Sequence, residues 1–282
     1  MGRVEGKVVV ITGAARGQGR SHAVRLAEEG ADVIALDICE DIEITEYPMA
    51  TPEDLEETAR LVRKAGRRVV TRQVDVRDRE ALRRAVDEGV AELGRLDVVV
   101  ANASILPIGP GRPIAAFTDT VDVNLLGAVN TVHAALPHLE AGASIIVIGS
   151  VAGLVGARGD SGPAGPGGTA YRFAKAVLVE YVETLALQLA PVGTRVNAVH
   201  PTNCNTDMLL NDATYRTFRP DVENPTREDA ELGFKAYHAM PVPWIEPEEV
   251  SHAVTYLASE ESRYVTGMQL KVDAGVLMKL GS

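Results

Sequence analysis

Residues 7–37 read KVVVITGAARGQGRSHAVRLAEEGADVIALD. An unbroken apolar run, Val8 to Ile11, ends in Thr12-Gly13-Ala14-Ala15-Arg16-Gly17-Gln18-Gly19 and passes into a segment, Arg20 to Gly30, whose apolar residues are spaced by three and four. A second apolar run then ends at Asp37. Strand, glycine turn, helix and strand make a βαβ unit, and a Val/Ile run without two-residue alternation is a strand covered on both faces. In the turn the spacing is Gly-x-x-x-Gly-x-Gly, which lets backbone N–H groups come close to a phosphate pair while the helix N-terminus adds positive potential. Three glycines can also mark a plain turn, but in the first crossover of a parallel sheet they point to a dinucleotide held by Gly13, Arg16, Gly17, Gln18 and Gly19. Asp37 stands 18 residues beyond Gly19, close to the separation at which an acid meets the adenosine ribose. A carboxylate there accepts from ribose hydroxyls and repels a 2′-phosphate, so NAD(H) is expected over NADP(H). Arg16 is the counter-argument, since it could receive that phosphate.

Outward from this unit the pattern repeats. Apolar runs at Arg68 to Val74, Leu96 to Asn102, Ser144 to Ser150, Arg195 to His200 and Met268 to Val272 bring the strands to seven, and helical stretches such as Pro52 to Gly66 and Arg79 to Gly94 lie between them. The expected fold is α/β: one doubly wound, mostly parallel seven-stranded Rossmann-type domain over residues 1–282 with helices on both faces. Three segments exceed simple connections. Residues 38–51 (ICEDIEITEYPMAT) follow a strand where a short loop is usual, and residues 157–168 (ARGDSGPAGPGG) form a Gly/Pro tract expected to be irregular. Residues of about 203–247 mix helical pieces with four prolines, as a substrate-covering lid would.

Composition narrows the function. With Lys+Arg 28 against Asp+Glu 39 the net charge is -11, which repels phosphate backbones and anionic lipid, so neither nucleic acid nor a membrane surface is an expected partner. No apolar run approaches bilayer-spanning length. Two cysteines, Cys39 and Cys204, support neither a disulfide framework nor a metal cluster, and no metal is expected; the reading is cytoplasmic. Tyr171 and Lys175, four residues apart, project from one helix face. A free Tyr titrates near pH 10, and an ammonium and a nicotinamide cation beside it would lower that value and make a general acid/base. By spacing alone the pair reads first as a solvated surface pair.

Taken together, these residues resemble the short-chain dehydrogenases/reductases along nearly the whole chain. The resemblance rests on Thr12-Gly13-x-x-x-Gly17-x-Gly19, Asp75-Val76, Ala101-Asn102-Ala103-Ser104, Asn124, Ser150 and Tyr171-x-x-x-Lys175. It implies Tyr171 as proton donor and acceptor, Lys175 lowering its pKa and holding the nicotinamide ribose, Ser150 orienting the substrate oxygen, and Asn124 fixing a relay water. It further implies that Asp37 and Ile38 meet the adenosine ribose end, Asp75 and Val76 adenine, Asn102 the ribose and nicotinamide region, and Thr202 and Thr206 the nicotinamide end. Ala101, Ser104 and Thr202 depart from the residues usual in the family. Gly17 to Ala23 and the segment beginning Asp37-Ile38-Cys39 are similar to the carveol-dehydrogenase-like branch associated with the redox carrier mycofactocin, whose members hold NAD in a poorly exchanging state.

The activity implied is NAD-dependent hydride transfer between nicotinamide and a small, apolar secondary alcohol or its ketone, terpenoid-like or alicyclic. A homotetramer is implied, built through the Tyr171 to Ala190 helix and the helix containing Asn124, with an external redox carrier as a possible partner. The alternatives are a 3-oxoacyl thioester reductase, which should favour NADPH, and a non-catalytic nucleotide-binding protein. The apolar residues of 38–51 (Ile38, Ile42, Ile44, Tyr47, Pro48, Met49) are expected to fold over buried surface beside the adenine, clamping the nucleotide or meeting a neighbouring subunit.

Overall fold

A computed structural model describes residues 2–155 and 164–281. Seven strands, β1 (Val8–Thr12), β2 (Asp32–Asp37), β3 (Val69–Gln73), β4 (Leu96–Ala101), β5 (Leu139–Ile148), β6 (Arg195–Pro201) and β7 (Gln269–Val272), form one sheet in the order β3-β2-β1-β4-β5-β6-β7. All six neighbouring pairs are parallel. The chain leaves β1 toward β2 and later returns beside β1 with β4, so a crevice opens outside the carboxyl ends of these strands.

Alternation along each strand sorts the core onto two faces. Val8 and Val10 of β1 join Ile34, Val86, Val132 and Leu178 on one side; Val9 and Ile11 join Val33, Leu26, Val250 and Leu257 on the other. The first side is covered by α3 (Arg79–Leu93), α5 (Gly127–Ala135) and α7 (Gly165–Leu189), the second by α1 (Gly17–Glu28), α2 (Pro52–Lys64) and α10 (Pro247–Ala258). Because both faces are buried, the strands carry Val and Ile without polar alternation.

Helix ends differ in a way that bears on function. α2 begins with a capping box between Thr51 and Asp54, and the Asp78 side chain caps α3. α1 has no side-chain cap and no acid in its first turn, so the N–H groups of that turn are left to an anionic ligand.

Around the crevice lie the irregular pieces. α4 (Ala115–Val121) passes through a π-helical segment, Asp122–Leu126, into α5, and the four-residue α6 (Val151–Leu154) follows β5. Residues 203–247 carry α8 (Asp212–Phe218) and α9 (Arg227–Tyr237), which share a small core of Leu209, Tyr215, Ala230 and Phe234. α11 (Val276–Leu280) ends the chain. No helix among the described residues is long and apolar enough to cross a membrane.

The Gly/Pro tract requires a correction. Residues 157–163 lie outside the described residues, but Gly165 to Gly168 are the first turn of α7, not irregular chain. The reason is a close approach: a Cβ at Gly165 would lie 1.8 Å from the Gly109 carbonyl oxygen, and one at Gly167 2.0 Å from that of Pro107. Packing against this loop overrides the low helix propensity of glycine.

Candidate active site

A cleft of about 590 Å³ runs along the carboxyl ends of the strands. Fifteen of the sixteen residues expected at the site line it: Gly13, Arg16, Gly17, Gln18, Gly19, Asp37, Ile38, Asp75, Val76, Asn102, Ser150, Tyr171, Lys175, Thr202 and Thr206. Asn124 is the exception.

At the glycine end, a Cβ at Gly19 would lie 1.9 Å from the Gly13 carbonyl oxygen and one at Gly13 would lie 2.9 Å from the Ala103 Cα. The turn closes only because these side chains are missing. Asn102 ties it to β4, its Nδ2 donating to the carbonyls of Thr12 and Gly13 at 2.9 and 3.1 Å. Asp37 closes it from β2, its carboxylate accepting from Ala15 N at 2.9 Å and Cys39 N at 3.1 Å. Burial pushes the Asp37 pKa up, against the lowering by these N–H groups and by Arg16. Asp75 pairs with Arg77, at 2.6 Å.

At the other end, Tyr171 stands close enough to the Ser150 side chain for that hydroxyl to lower its pKa. One turn along α7, Lys175 sits 5.6 Å from the Tyr171 ring centroid, and its Nζ donates to the Ile148 carbonyl at 2.7 Å. Ser150 also accepts from Ala152 N at 3.1 Å, capping α6. Burial lowers the Lys175 pKa to about 7 and raises that of Tyr171, which the Ser150 hydroxyl opposes. In the protein alone desolvation dominates both groups; the nicotinamide cation expected beside them is the further positive charge that would favour the phenolate.

Asn124 lies behind the wall, with its Oδ1 accepting from Ile105 N and its Nδ2 donating to Ile105 O, both at 2.8 Å; its side chain holds the loop after β4. Two other expectations change. Arg16 does not wait for a 2′-phosphate: its Nη1 pairs with Asp207 at 2.9 Å and its Nη2 donates to the Pro48 carbonyl. The 38–51 segment does bury Ile42, Ile44 and Tyr47, but Pro48 faces out, and the segment is not confined to the adenine end. Tyr47 reaches across the cleft to accept from Leu106 N at 3.0 Å. Beside it Glu46 lies 2.5 Å from Arg112 and 3.0 Å from Arg216 of α8. Sequence reasoning missed this clasp, because its members lie far apart in the chain. His22 is fully buried, its Nδ1 2.8 Å from Ser251 Oγ, and burial lowers its pKa to about 3. Cys39 and Cys204 are free and buried, as packing residues are.

The cleft suits a dinucleotide. Gln18 Oε1, Ser104 Oγ and Asn203 Nδ2 are buried polar atoms with no partner, all on residues lining it. Orphans of this kind are costly unless a ligand completes them, and they lie along a cleft whose glycine end opens on the uncapped start of α1.

Comparison with known proteins gives the same picture. A family model described as Enoyl-(Acyl carrier protein) reductase matches residues 13–277. (-)-trans-Carveol dehydrogenase of Rhodococcus erythropolis is 46% identical over 285 residues, covering 99% of this chain and 100% of its own length. Among solved structures, carveol dehydrogenase from Mycobacterium avium in complex with NAD superposes with a TM-score of 0.92 at 50% identity, covering 99% of this chain and 100% of that one. A short chain dehydrogenase from Mycobacterium paratuberculosis bound to NAD superposes with a TM-score of 0.85 at 40% identity, covering 98% and 100%.

Proposed function

We propose, from the premise that the chain belongs to the short-chain dehydrogenase/reductase family, that it is an NAD-dependent dehydrogenase of small alicyclic or terpenoid secondary alcohols and a reductase of their ketones. The observation that carries this reading is the convergence of Ser150, Tyr171 and, one helical turn on, buried Lys175 in the same cleft as the glycine turn.

When bound, NAD supplies the hydride acceptor and, in its oxidised form, positive charge. Gly13, Gly17, Gly19 and the first turn of α1 would hold its phosphates, Asp37 its adenosine ribose, and Lys175 its nicotinamide ribose. Ser150 orients the alcohol oxygen, and Tyr171 takes the hydroxyl proton as the carbinol carbon gives up hydride; in ketone reduction Tyr171 returns that proton. Ile105, Leu106 and Ile108 present an apolar wall beside these groups, matching an alicyclic substrate better than a carrier-bound thioester. Asp37 at the ribose position and an Arg16 already paired weigh against NADPH, and with it against the thioester reductase.

The 38–51 segment supports slow cofactor exchange. It crosses the cleft and is fastened on the far side through Tyr47 and Glu46, so NAD would be retained and its reduced form reoxidised in place by an external carrier of the mycofactocin kind. Exposed Leu126, Phe173 and Leu187, on the π-helical segment and α7, support a homotetramer through these helices. Light scattering should then give about four times 30.0 kDa; a monomer would contradict it.

The experiment is to purify the protein, record its absorbance spectrum, extract the nucleotide, and add a panel of alcohols that includes (-)-trans-carveol and cyclohexanol. Stoichiometric NAD that turns to NADH on adding an alicyclic alcohol is the expected result. Protein that purifies empty, exchanges NAD freely and oxidises none of the panel would overturn it.

A further inference from the structure

His200, the penultimate residue of β6, is fully buried directly beneath the reacting groups, yet the roles assigned above do not use it. Its Nδ1 lies 3.2 Å from Ser150 N and 3.1 Å from Ser150 O, and its Nε2 lies 2.7 Å from Gln269 Oε1 of β7. The imidazole is pressed against the chain just before Ser150: a Cβ on Gly149 would come within 2.5 Å of the ring.

Proton positions follow from the last partner in the series. Gln269 Nε2 donates at 3.3 Å to the Val179 carbonyl, a group that can only accept. The amide oxygen of Gln269 must therefore face the imidazole, Nε2 must carry the proton, and Nδ1 must offer its lone pair to the Ser150 N–H. Burial lowers the His200 pKa, against the raising by its hydrogen bonds to Gln269 and Ser150 and with the Lys175 and Lys271 charges adding to the lowering; a second proton would turn Nδ1 into a donor aimed at the Ser150 carbonyl instead.

This chain of hydrogen bonds joins four elements, β5, β6, β7 and α7. Ile148 O receives Lys175 Nζ, Gly149 N donates to Val199 O at 2.8 Å, and Ser150 N donates to His200. Three consecutive residues at the end of β5 are thus pinned to α7 and β6, and Gln269 links the imidazole back to α7 at Val179, one turn beyond Lys175. We propose that His200 is a positioning residue: with its proton held on Nε2 by Gln269, it sets the peptide of Ser150 and so the placement of the Ser150 hydroxyl against Tyr171. This rests on the reading of Ser150, Tyr171 and Lys175 as the reacting groups.

The test uses the purified holoenzyme and the best alicyclic alcohol of the panel above. His200→Phe keeps the ring and removes both hydrogen bonds; it should lower kcat about ten- to a hundredfold while KM and bound NAD change less than about twofold, because misplacement and not binding is lost. His200→Asn, whose Oδ1 can accept from the Ser150 N–H, should recover most of that loss. A kcat for His200→Phe within twofold of wild type, or no recovery in His200→Asn, overturns the proposal. If His200→Phe does not fold, Gln269→Met, which leaves the imidazole but frees its tautomer, should lower kcat about three- to tenfold, and an unchanged kcat overturns it. In a Ser150→Ala background His200→Phe should cost little more, since the two act as one unit; an undiminished cost there shows that His200 does not act through Ser150. Wild-type turnover in Ser150→Ala alone would instead sink the assignment of Ser150. Nitrogen NMR of His200 reads the tautomer without any turnover: the Nε2–H form is expected, and an Nδ1–H form overturns the proposal even in an inactive protein.

Discussion

The floor of the cleft is built from strand ends and α7, and its groups are fixed by hydrogen bonds that are buried, Lys175 to Ile148 and Ser150 to His200, or half-buried, Asn102 to Thr12 and Gly13. The roof, made of residues 38–51 and the region after β6, is fastened at its margins by ion pairs that reach the surface: Arg16 with Asp207, and Glu46 with Arg112 and Arg216. A buried polar group left unpaired costs about 1–3 kcal/mol, whereas an exposed ion pair contributes roughly 0–1 kcal/mol. The chemistry is thus mounted where displacement is expensive, and passage in and out where it is cheap.

The sharpest way to break that contrast is at the floor. Tyr171→Phe should keep the fold and bound NAD and lose on the order of a thousandfold in turnover; near-normal turnover would remove Tyr171 from the chemistry. Burial raises the Tyr171 pKa and the positive charge of bound NAD opposes it; alcohol oxidation needs the phenolate and so should accelerate toward alkaline pH. Ketone reduction, which needs the phenol, should not. A pH profile of oxidation that falls between about pH 7 and 9 would contradict the base role.

Lys175→Met should lower turnover about a hundredfold and also speed NAD release, because one ammonium is asked to serve both ends. Stopped-flow displacement of the nucleotide checks the second half, and a purely catalytic defect would assign the ribose to another group.

Asp37→Asn lies where floor meets roof. Removing the charge should shift preference toward NADP(H) by about tenfold, limited because Arg16 remains engaged by Asp207 and Pro48. Adding Asp207→Asn should enlarge the shift by freeing Arg16. Competition binding of the two nucleotides measures it, and no shift in either variant would mean that Asp37 does not select against phosphate.

The smallest effect belongs to the roof itself. Glu46→Gln weakens the contacts to both Arg112 and Arg216, so NAD release should quicken about two- to tenfold, with turnover of the bound cofactor unchanged. Raised salt should act in the same direction on the wild type. A release rate indifferent to both would leave the fastening to Tyr47 and its apolar neighbours.

What the sequence disclosed follows the same division. The strands were legible because two-sided burial writes itself locally as Val/Ile runs, and floor residues because they fall at strand ends or one helical turn apart. The clasp was not, since Glu46 meets Arg216 across 170 positions and nothing local marks either partner. Nor was the tie between Ser150 and His200, 50 positions apart, although a lone histidine near the end of β6 was visible. Asn124 was found by its motif, but a motif does not say which atoms the amide will serve. The glycines opening α7 were misjudged because propensity is a local quantity, and here a neighbouring backbone decides.

That neighbouring backbone has a practical meaning for redirecting the enzyme. The backbone carbonyls of Pro107 and Gly109 press on the start of α7, and positions 165 and 167 lack room for even a methyl group. The loop after β4 therefore behaves as a fixed rail on which Ile105, Leu106 and Ile108 hang. An engineer wishing to admit a bulkier ring should edit the hangings and leave the rail alone: the shape of the accepted alcohol would change while the proton-transfer groups stay in register.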